Sequence, residues 1–279
     1  MCHALWYFCG MTYVDSLTFA APTLGCSALL PTLPNEIGPA REDRLFELYM
    51  AGQCPLWLRQ WKEIVVEAEG LKGSFFVLPD FLCLGTDTDY LYTPMGALNA
   101  ERILEQRFNA VLPTERMVDL IYAASKRQAA QPWGPPYDDS MMNTSRWPAQ
   151  SAKVIGMQRA RGVTTGQLVE GHCKNVIVSD KAMAKHGVHL GFYGWFLNNG
   201  EPIQQDSLEH GALYCDYSHG VRGVLSTVVV EDQTMKLADA LKDERAHVLF
   251  SSTRFDPGSY TAARAAYFQM RGVEAPLIY

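Results

Sequence analysis

Apolar residues recur at a helical spacing in several stretches of the chain. In the stretch 39–64 the apolar positions are interrupted at Gly52 and Pro55, so the sequence predicts two helices there. Further helices are predicted over 99–108, with Asn99 as N-cap, and from 115 to about 130, with Thr114 as N-cap. Shorter helices are predicted over 151–161, 181–186, 236–246 and 260–270.

Other apolar runs have the composition of β-strands. After residue 64 three short runs follow one another, with Gly70 and Gly73 at a hairpin turn between the first two. Two longer runs, 188–196 and 221–230, are rich in aromatic and β-branched residues, as buried strands are. The hairpins and the uneven placing of helices favour an α+β fold: a mixed, mostly antiparallel central sheet with flanking helices, in a single domain over 1–279.

One segment without an apolar period, 131–148, contains four prolines and is predicted to be a long loop. Long ordered loops in compact domains are usually lids or binding loops, and a joint between two halves of the chain is the alternative. Earlier in the chain, Asp87 and Asp89 share one face of an extended segment. Together they could hold a cation or act as an acid–base pair, and capping of a loop is the alternative.

Composition excludes several classes of partner. The net charge is −6 and no basic run is present, which argues against binding of nucleic acid or of an anionic membrane surface. No apolar run approaches the roughly 18 residues of a membrane-spanning helix. The first forty residues contain no Lys or Arg, so the apolar N-terminus lacks the basic region of an export signal. We therefore predict a soluble cytoplasmic protein, with export as the alternative; the oligomeric state is not predicted.

Cysteine spacing and glycine motifs limit the chemistry further. The seven cysteines are scattered without a CxxC pair, which is typical of free thiols rather than of a disulfide framework or a zinc ribbon. Neither GxGxxG nor GxxxxGK occurs, so no nicotinamide, flavin or nucleotide cofactor is predicted.

Most of the reactive side chains lie between the two long apolar runs or just before them. We predict a site with His219 as general base, oriented by Asp216 or His210, because a carboxylate can fix the tautomer of an imidazole and stabilise its charged form. The further catalytic candidates are His172 and Ser218, although Ser218 lacks the GxSxG turn. The predicted substrate-binding residues are Arg222 and Lys174, as anchors for a carboxylate or phosphate, with Tyr193, Trp195, Gln204 and Tyr214.

Two other interpretations of the same residues remain open. His172, His210, Asp216 and His219 are competent zinc ligands, but they lack a tight metal-binding spacing such as HExxH. Asp216 and His219 would also face opposite sides of an extended 214–222, so we predict no bound metal. In the third interpretation the polar residues form a hydrogen-bond network under the pocket of a non-catalytic binding protein.

Six segments between 79 and 222 carry a resemblance: PDFLCLGTDTD, LPTERMVDLIY, GHCKNVIV, YGWF, PIQ and DYSHGVR, with His210 before the last. In this order they resemble the motifs PDYLxxGSDxD, LPTxKMVDxIY, GHKKDVV, YGWH, PIQ and DYSHGxR of an uncharacterised family of bacterial proteins, many with an export segment. This chain departs from the pattern at Cys173, Asn175 and Phe196. The resemblance implies which residues matter but no reaction, and it argues against a cysteine nucleophile because the pattern has no fixed cysteine.

A second resemblance concerns His189-Leu-Gly-Phe-Tyr followed by Cys215. This order is similar to that of the permuted papain-like enzymes (NlpC/P60, lecithin–retinol acyltransferase type), which implies Cys215 as nucleophile and His189 as its base. Cys215 has no obvious neighbouring cation to lower its pKa, so we predict that it is dispensable.

From the residues we expect a cofactor-independent hydrolase, or a related acyl-transfer or cyclising enzyme, acting on a small polar or peptide-like substrate. The alternatives are a metal-dependent hydrolase, a papain-like cysteine enzyme and a non-catalytic binding protein.

Overall fold

The computed structural model describes residues 21–258, apart from 136, 183–189 and 208–213, together with residue 269. The α-helices of this part are α1 (Cys26–Leu29), α2 (Pro39–Met50), α3 (Ala97–Phe108), α4 (Glu115–Ala124), α5 (Trp147–Ala160), α6 (Leu237–Lys242) and α7 (His247–Phe250). Short 3-10 helices lie at Leu30–Thr32, Leu56–Arg59, Asp139–Met142 and Thr144–Arg146.

The strands run through the whole described chain. They are β1 (Lys62–Ala68), β2 (Leu71–Val77), β3 (Cys83–Gly85), β4 (Tyr90–Tyr92), β5 (Ala110–Val111), β6 (Lys126–Arg127), β7 (Val169–Glu170), β8 (Lys174–Val178), β9 (Leu190–Phe196), β10 (Pro202–Ser207), β11 (His219–Gly220), β12 (Val224–Val230) and β13 (Gln233–Lys236).

These strands form two main sheets instead of the one central sheet that we predicted. The first has the order β1-β2-β12-β13, with β5 also paired to β12, and all its pairs are antiparallel. The second has the order β10-β9-β8-β11 and is antiparallel except for the parallel pair of β8 and β11. The predicted α+β class with mostly antiparallel strands and flanking helices is confirmed.

Helix α4 lies between the two sheets. Its Met117 and Ile121 belong to the apolar cluster on the first sheet, with Phe75 and Val228. On its other side, Val118 and Tyr122 pack with Ile177, Tyr193 and Phe196 of the second sheet. The opposite face of the second sheet contributes Val176 and Phe192 to the largest cluster, which also contains residues of α2, α3 and α5.

The ends of several elements differ from the prediction for local reasons. Thr114 is the N-cap of α4, as predicted, and its hydroxyl accepts the Met117 N–H. That helix ends at Ala124 rather than near 130, because Lys126 and Arg127 pair with β7. The expected N-cap Asn99 is wrong: α3 begins at Ala97, and the Asn99 amide donates to the Glu42 carbonyl of α2 at 2.9 Å.

Some predicted elements are shorter, shifted or outside the described residues. The second half of the interrupted helix is a single 3-10 turn, Leu56–Arg59, before β1 begins. The β1–β2 turn lies at Glu69 and Gly70, both with positive φ, whereas Gly73 lies inside β2. Helix α5 begins at Trp147, earlier than predicted, with a proline in its first turn. Most of the helices predicted over 181–186 and 260–270 fall outside the described residues.

The Asp87 and Asp89 carboxylates cap backbone turns. Asp87 Oδ1 accepts from the Leu56 N–H at 2.6 Å, at the start of a 3-10 helix. Asp89 accepts from the Ser27 hydroxyl at 2.7 Å and from the Cys26 thiol at 2.8 Å in α1. The capping alternative therefore describes both residues.

Within the part of the chain that the structure describes, no helix has the length and apolar character needed to cross a membrane.

Candidate functional site

The DYSHG segment contains a tight turn rather than the extended strand that we expected. The His219 N–H donates to the Asp216 carbonyl at 3.1 Å, and Asp216 Oδ1 accepts from the Ser218 N–H at 2.7 Å. Aspartate favours turns of this kind because its carboxylate can bind a backbone N–H two residues later. The turn brings Asp216 and His219 together, which an extended chain would have prevented.

The contacts of His219 Nδ1 define the tautomer of the neutral ring. The Asp216 backbone N–H donates to this nitrogen at 2.8 Å, so Nδ1 carries a lone pair and the ring proton is on Nε2. Asp216 Oδ1 also lies 3.2 Å from Nδ1 and can pair with the ring only when it is protonated. Asp216 therefore offers a donor to the neutral imidazole and a carboxylate to the imidazolium.

The Asp216 carboxylate is buried but ionised. Burial alone would raise its pKa, but the charge and hydrogen bond of the protonated His219 ring, the Lys174 charge and the hydrogen bond from Ser218 outweigh burial and hold the pKa of Asp216 well below its usual range. Lys174 Nζ lies 3.8 Å from Oδ2, and the Tyr214 hydroxyl donates to the same oxygen at 3.3 Å. The Ser218 hydroxyl donates to Oδ1, so Asp216 holds this hydroxyl but is a weak base toward it.

The second sheet places Lys174 beside His219. In the parallel pair of β8 and β11, Lys174 is opposite His219, and side chains opposite each other lie on the same face. The His219 ring packs edge-on against Phe192, with ring centroids 4.2 Å apart. The same face thus carries an imidazole, an ammonium and an ionised carboxylate.

An unusual backbone conformation of β9 places the Trp195 side chain beside Lys174. Gly194 and Trp195 have φ of 95° and 60°, in the left-handed region, which costs a bulky residue about 1–2 kcal/mol. The normal alternation of β9 is reversed there: Phe196 packs on Tyr122 behind the sheet, while the Trp195 ring lies 5.1 Å from Lys174 Nζ. Such strain is common where a side chain must be directed into a site.

The Pro-rich loop covers the turn. Met141 accepts the Tyr217 N–H at 3.1 Å, and the Tyr217 hydroxyl accepts the Trp133 N–H at 2.8 Å. The Tyr217 ring lies between Trp133 and Trp195, edge-on to both, with centroid distances of 5.6 and 6.5 Å. The loop therefore adds an aromatic wall to the site, as a binding loop would.

A second carboxylate–histidine pair lies deeper in the molecule. His172 Nε2 is 3.2 Å from Asp80 Oδ1, and the His172 side chain is fully buried between the rings of Phe81 and Tyr92. Within the described residues neither His172 nitrogen makes a directed hydrogen bond. Asp80 accepts from the Tyr92 hydroxyl at 2.8 Å and from the Gln158 amide at 3.2 Å.

Arg222 belongs to this deeper group and is fully buried. Its guanidinium donates to the carbonyls of Leu78 and Val169 at 2.7 and 2.6 Å, and its Nε lies 3.1 Å from Glu170 Oε2. Burial raises the pKa of Glu170, and the Arg222 charge opposes that effect. Because its own chain surrounds the guanidinium, this placement does not support the predicted role of Arg222 as a substrate anchor.

Gly220 lies where the turn that contains Asp216 and His219 packs against the segment that contains His172. A Cβ at this position would lie 2.5 Å from the Phe81 ring and 2.7 Å from Cys173 Cβ, which is closer than real contacts allow. The glycine of DYSHG thus permits close packing of the turn against the segment that holds His172.

Tyr193 lies on the other face of the sheet, and Gln204 lies in the row of Lys174 and His219, two strands from Lys174 across Gly194. The Tyr193 hydroxyl donates to Asp119 of α4 at 2.8 Å, on the opposite face of the sheet from Lys174. Gln204 is half-buried on β10, in register with Gly194. The structure therefore brings together Lys174, Trp195, Tyr214, Asp216, Ser218 and His219, which we call the turn site.

Cys215 does not have the environment of a nucleophile. Its thiol is fully buried, and burial raises its pKa despite the Arg41 guanidinium 3.1 Å away. Its proposed partner His189, like His210, lies outside the described residues. Among the residues that are described, no cluster of three His, Cys, Asp or Glu side chains could hold a metal ion.

The sequence reasoning missed Asp80 and Glu170. Asp80 is the only charged residue between Phe75 and Leu84, and a lone carboxylate in an apolar run signals a buried ionic partner. Glu170 directly precedes the GHCK segment and offered a weaker signal of the same kind.

No family model, no curated protein and no solved structure matches the chain. The two resemblances described above therefore stay predictions.

Proposed function

We propose that the protein is a cofactor-independent enzyme of the hydrolase or acyl-transfer type, acting on a small polar or peptide-like molecule at the turn site. One observation carries the proposal: the turn places His219 beside the buried, ionised Asp216. Lys174 lies on the same face of the sheet as His219. Ionisable groups with strongly shifted pKa values cluster at functional sites.

The tautomer of His219 favours a donor role over the base role that the sequence suggested. With Nδ1 accepting the Asp216 N–H, the proton of the neutral ring lies on Nε2, so the ring acts through this N–H as a donor. Donors aimed at an oxygen that gains negative charge during acyl transfer typically contribute about 10²–10³ in rate. A water or a substrate hydroxyl would attack the acyl carbon, and its proton would leave with the departing alcohol or amine of the substrate. Lys174 would hold the polar end of the substrate.

Two matched substitutions test this role. His219→Gln keeps an amide N–H near the position of Nε2, whereas His219→Asn places its amide near Nδ1. Assayed on a panel of p-nitrophenyl esters and peptide p-nitroanilides with chelator present, His219→Asn should lose about 100-fold or more in kcat/KM, and His219→Gln distinctly less. Equal losses in both would reject the donor role, and full activity in a folded His219→Ala would reject the site.

A second candidate function is non-catalytic binding of a small ligand. It is favoured by Ser218, whose hydroxyl and N–H are both engaged by Asp216. Ligand binding without turnover of any member of the ester and anilide panel would select this function.

A further inference from the structure

We propose that Lys174 and Trp195 together form a binding site for a carboxylate group, so that the ligand of the turn site is an acidic molecule or a peptide with a free C-terminal carboxylate. The inference deepens the proposed function and rests on the same site. It is carried by contacts of these two side chains, independently of any catalytic role of His219.

Lys174 presents a charge that its own chain only partly satisfies. Its ionic contact with Asp216 Oδ2 spans 3.8 Å, which is longer than a hydrogen bond, and its side chain is 12% exposed. The ammonium has three donors, and the Trp195 ring face occupies one side of it. An oxyanion could therefore approach the ammonium without displacing a hydrogen bond to Asp216.

Trp195 supplies a second donor. Its side chain is buried, with the residue only 7% exposed, and no described residue accepts a hydrogen bond from its Nε1. Buried indole N–H groups usually have a partner, so a donor left without one points to a ligand or a water. The left-handed backbone at Gly194 and Trp195 holds the indole beside Lys174.

The charge of the surroundings selects a carboxylate over a phosphate. Asp216 is ionised, and its charge offsets much of the Lys174 charge. A singly charged carboxylate meets less repulsion from Asp216 than a doubly charged phosphate would. One ammonium and one indole N–H also match the two oxygens of a single carboxylate.

A second lysine–tryptophan pair in the chain serves as the matched control. Lys153 Nζ lies 4.6 Å from the Trp133 ring, but Trp133 Nε1 donates to Gln150 at 2.6 Å and Lys153 is exposed. This pair has the same chemistry, with its indole donor already occupied. It should not bind a carboxylate.

The experiment follows the indole N–H signals of the ¹⁵N-labelled protein during titration with sodium acetate at constant ionic strength. The chain has six tryptophans, and Trp195→Phe assigns the signal of interest. We expect the Trp195 signal to shift saturably with acetate and not with acetamide, and less with inorganic phosphate than with acetate. Lys174→Met should weaken acetate binding about 10-fold or more, Lys174→Arg by less than about 3-fold, and Lys153→Met not at all.

The outcomes separate this inference from the proposed function. A Trp195 signal that does not move up to 100 mM acetate, or that moves equally in Lys174→Met, overturns the carboxylate site even when the enzyme turns over esters. Phosphate binding tighter than acetate would overturn the choice of carboxylate. Acetate binding without turnover of any substrate in the panel would instead overturn the catalytic proposal alone. The other five indole signals report whether each variant is folded.

Discussion

The molecule contains two carboxylate–histidine pairs that differ in how the chain builds them. Asp216 and His219 are three residues apart and meet through one turn, with Lys174 and Tyr214 beside the carboxylate. Asp80 and His172 are distant in sequence and meet in the interior, where Asp80 is also bound by Tyr92 and Gln158 and lies near Arg222.

This difference indicates different roles for the same pair of residue types. In the turn site Asp216 and His219 are buried, but Lys174 and Tyr214 beside the carboxylate are partly exposed, so a ligand would approach through these two side chains. In the deeper pair every neighbour of Asp80 is buried, and the Arg222 guanidinium also binds two backbone carbonyls. We therefore expect the first pair to affect activity and the second to affect stability.

The largest expected effect is that of Asp80→Ala. Removing this carboxylate leaves His172 without its buried anionic partner and takes the acceptor from the Tyr92 hydroxyl and the Gln158 amide, whereas Arg222 keeps Glu170. The free energy of unfolding should fall by about 3–5 kcal/mol. Urea denaturation measures the change. The matched control is Asp87→Ala, an exposed carboxylate of the same segment that caps a 3-10 helix and should cost about 1 kcal/mol. An equal loss of unfolding free energy in the two variants would show that the Asp80–His172 pair does not make a special contribution to stability.

A moderate and pH-dependent effect is expected from Asp216→Asn. The pKa of Asp216 is lowered in the folded state, so its ionised form stabilises the fold above pH about 4, and that contribution is lost as the pH falls toward the folded pKa. The variant should cost about 1–3 kcal/mol at pH 7, and the difference from the native chain should shrink below pH 4.

Denaturation curves between pH 3 and 7 measure that difference. Asp239→Asn is the control, because Asp239 is an exposed residue whose ion pair with Lys242 lies on the surface, and its effect should stay within about 0.5 kcal/mol. A difference for Asp216→Asn that does not change with pH would contradict the ionised state of the carboxylate.

The smallest effect is expected from His172→Phe. Phenylalanine has a similar shape, and without His172 the Asp80 carboxylate still accepts from Tyr92 and Gln158 and lies 3.9 Å from the Arg222 guanidinium. The free energy of unfolding should therefore change by less than about 1.5 kcal/mol. His172→Ala, which leaves a cavity, should cost more, about 2–4 kcal/mol. Loss of activity in a stable His172→Phe protein would restore the catalytic role that the sequence suggested for this residue.

The helices and strands were predictable wherever the apolar period was regular and a cap was unambiguous, as at Thr114. The turn at Asp216 was missed because the apolar run that follows it dominated the pattern, although Asp-Tyr-Ser-His contains two residues that favour turns. The turn decides which side chains meet, so the proximity of Asp216 and His219 was missed with it.

Long-range contacts could not be predicted from the sequence for a different reason. Arg222 and Lys174 are both cations near polar motifs, and their local sequences do not tell a buried guanidinium from a partly exposed ammonium. The reversal of alternation in β9 was equally hidden, because strand periodicity assigns Trp195 and Phe196 to the faces that they do not occupy. Among the described residues, Gly194 was the local hint of that reversal.

Helix α4 has a consequence for the way the molecule opens. Its Met117 and Ile121 belong to the core of one sheet, and its Val118 and Tyr122 belong to the core of the other. Loosening the helix would expose apolar surface on both sheets at once, so the two sheets are energetically linked although they share no strand. The slowest-exchanging amides of β2 and β9 should then become accessible in the same rare opening event, as parts of one cooperative unit.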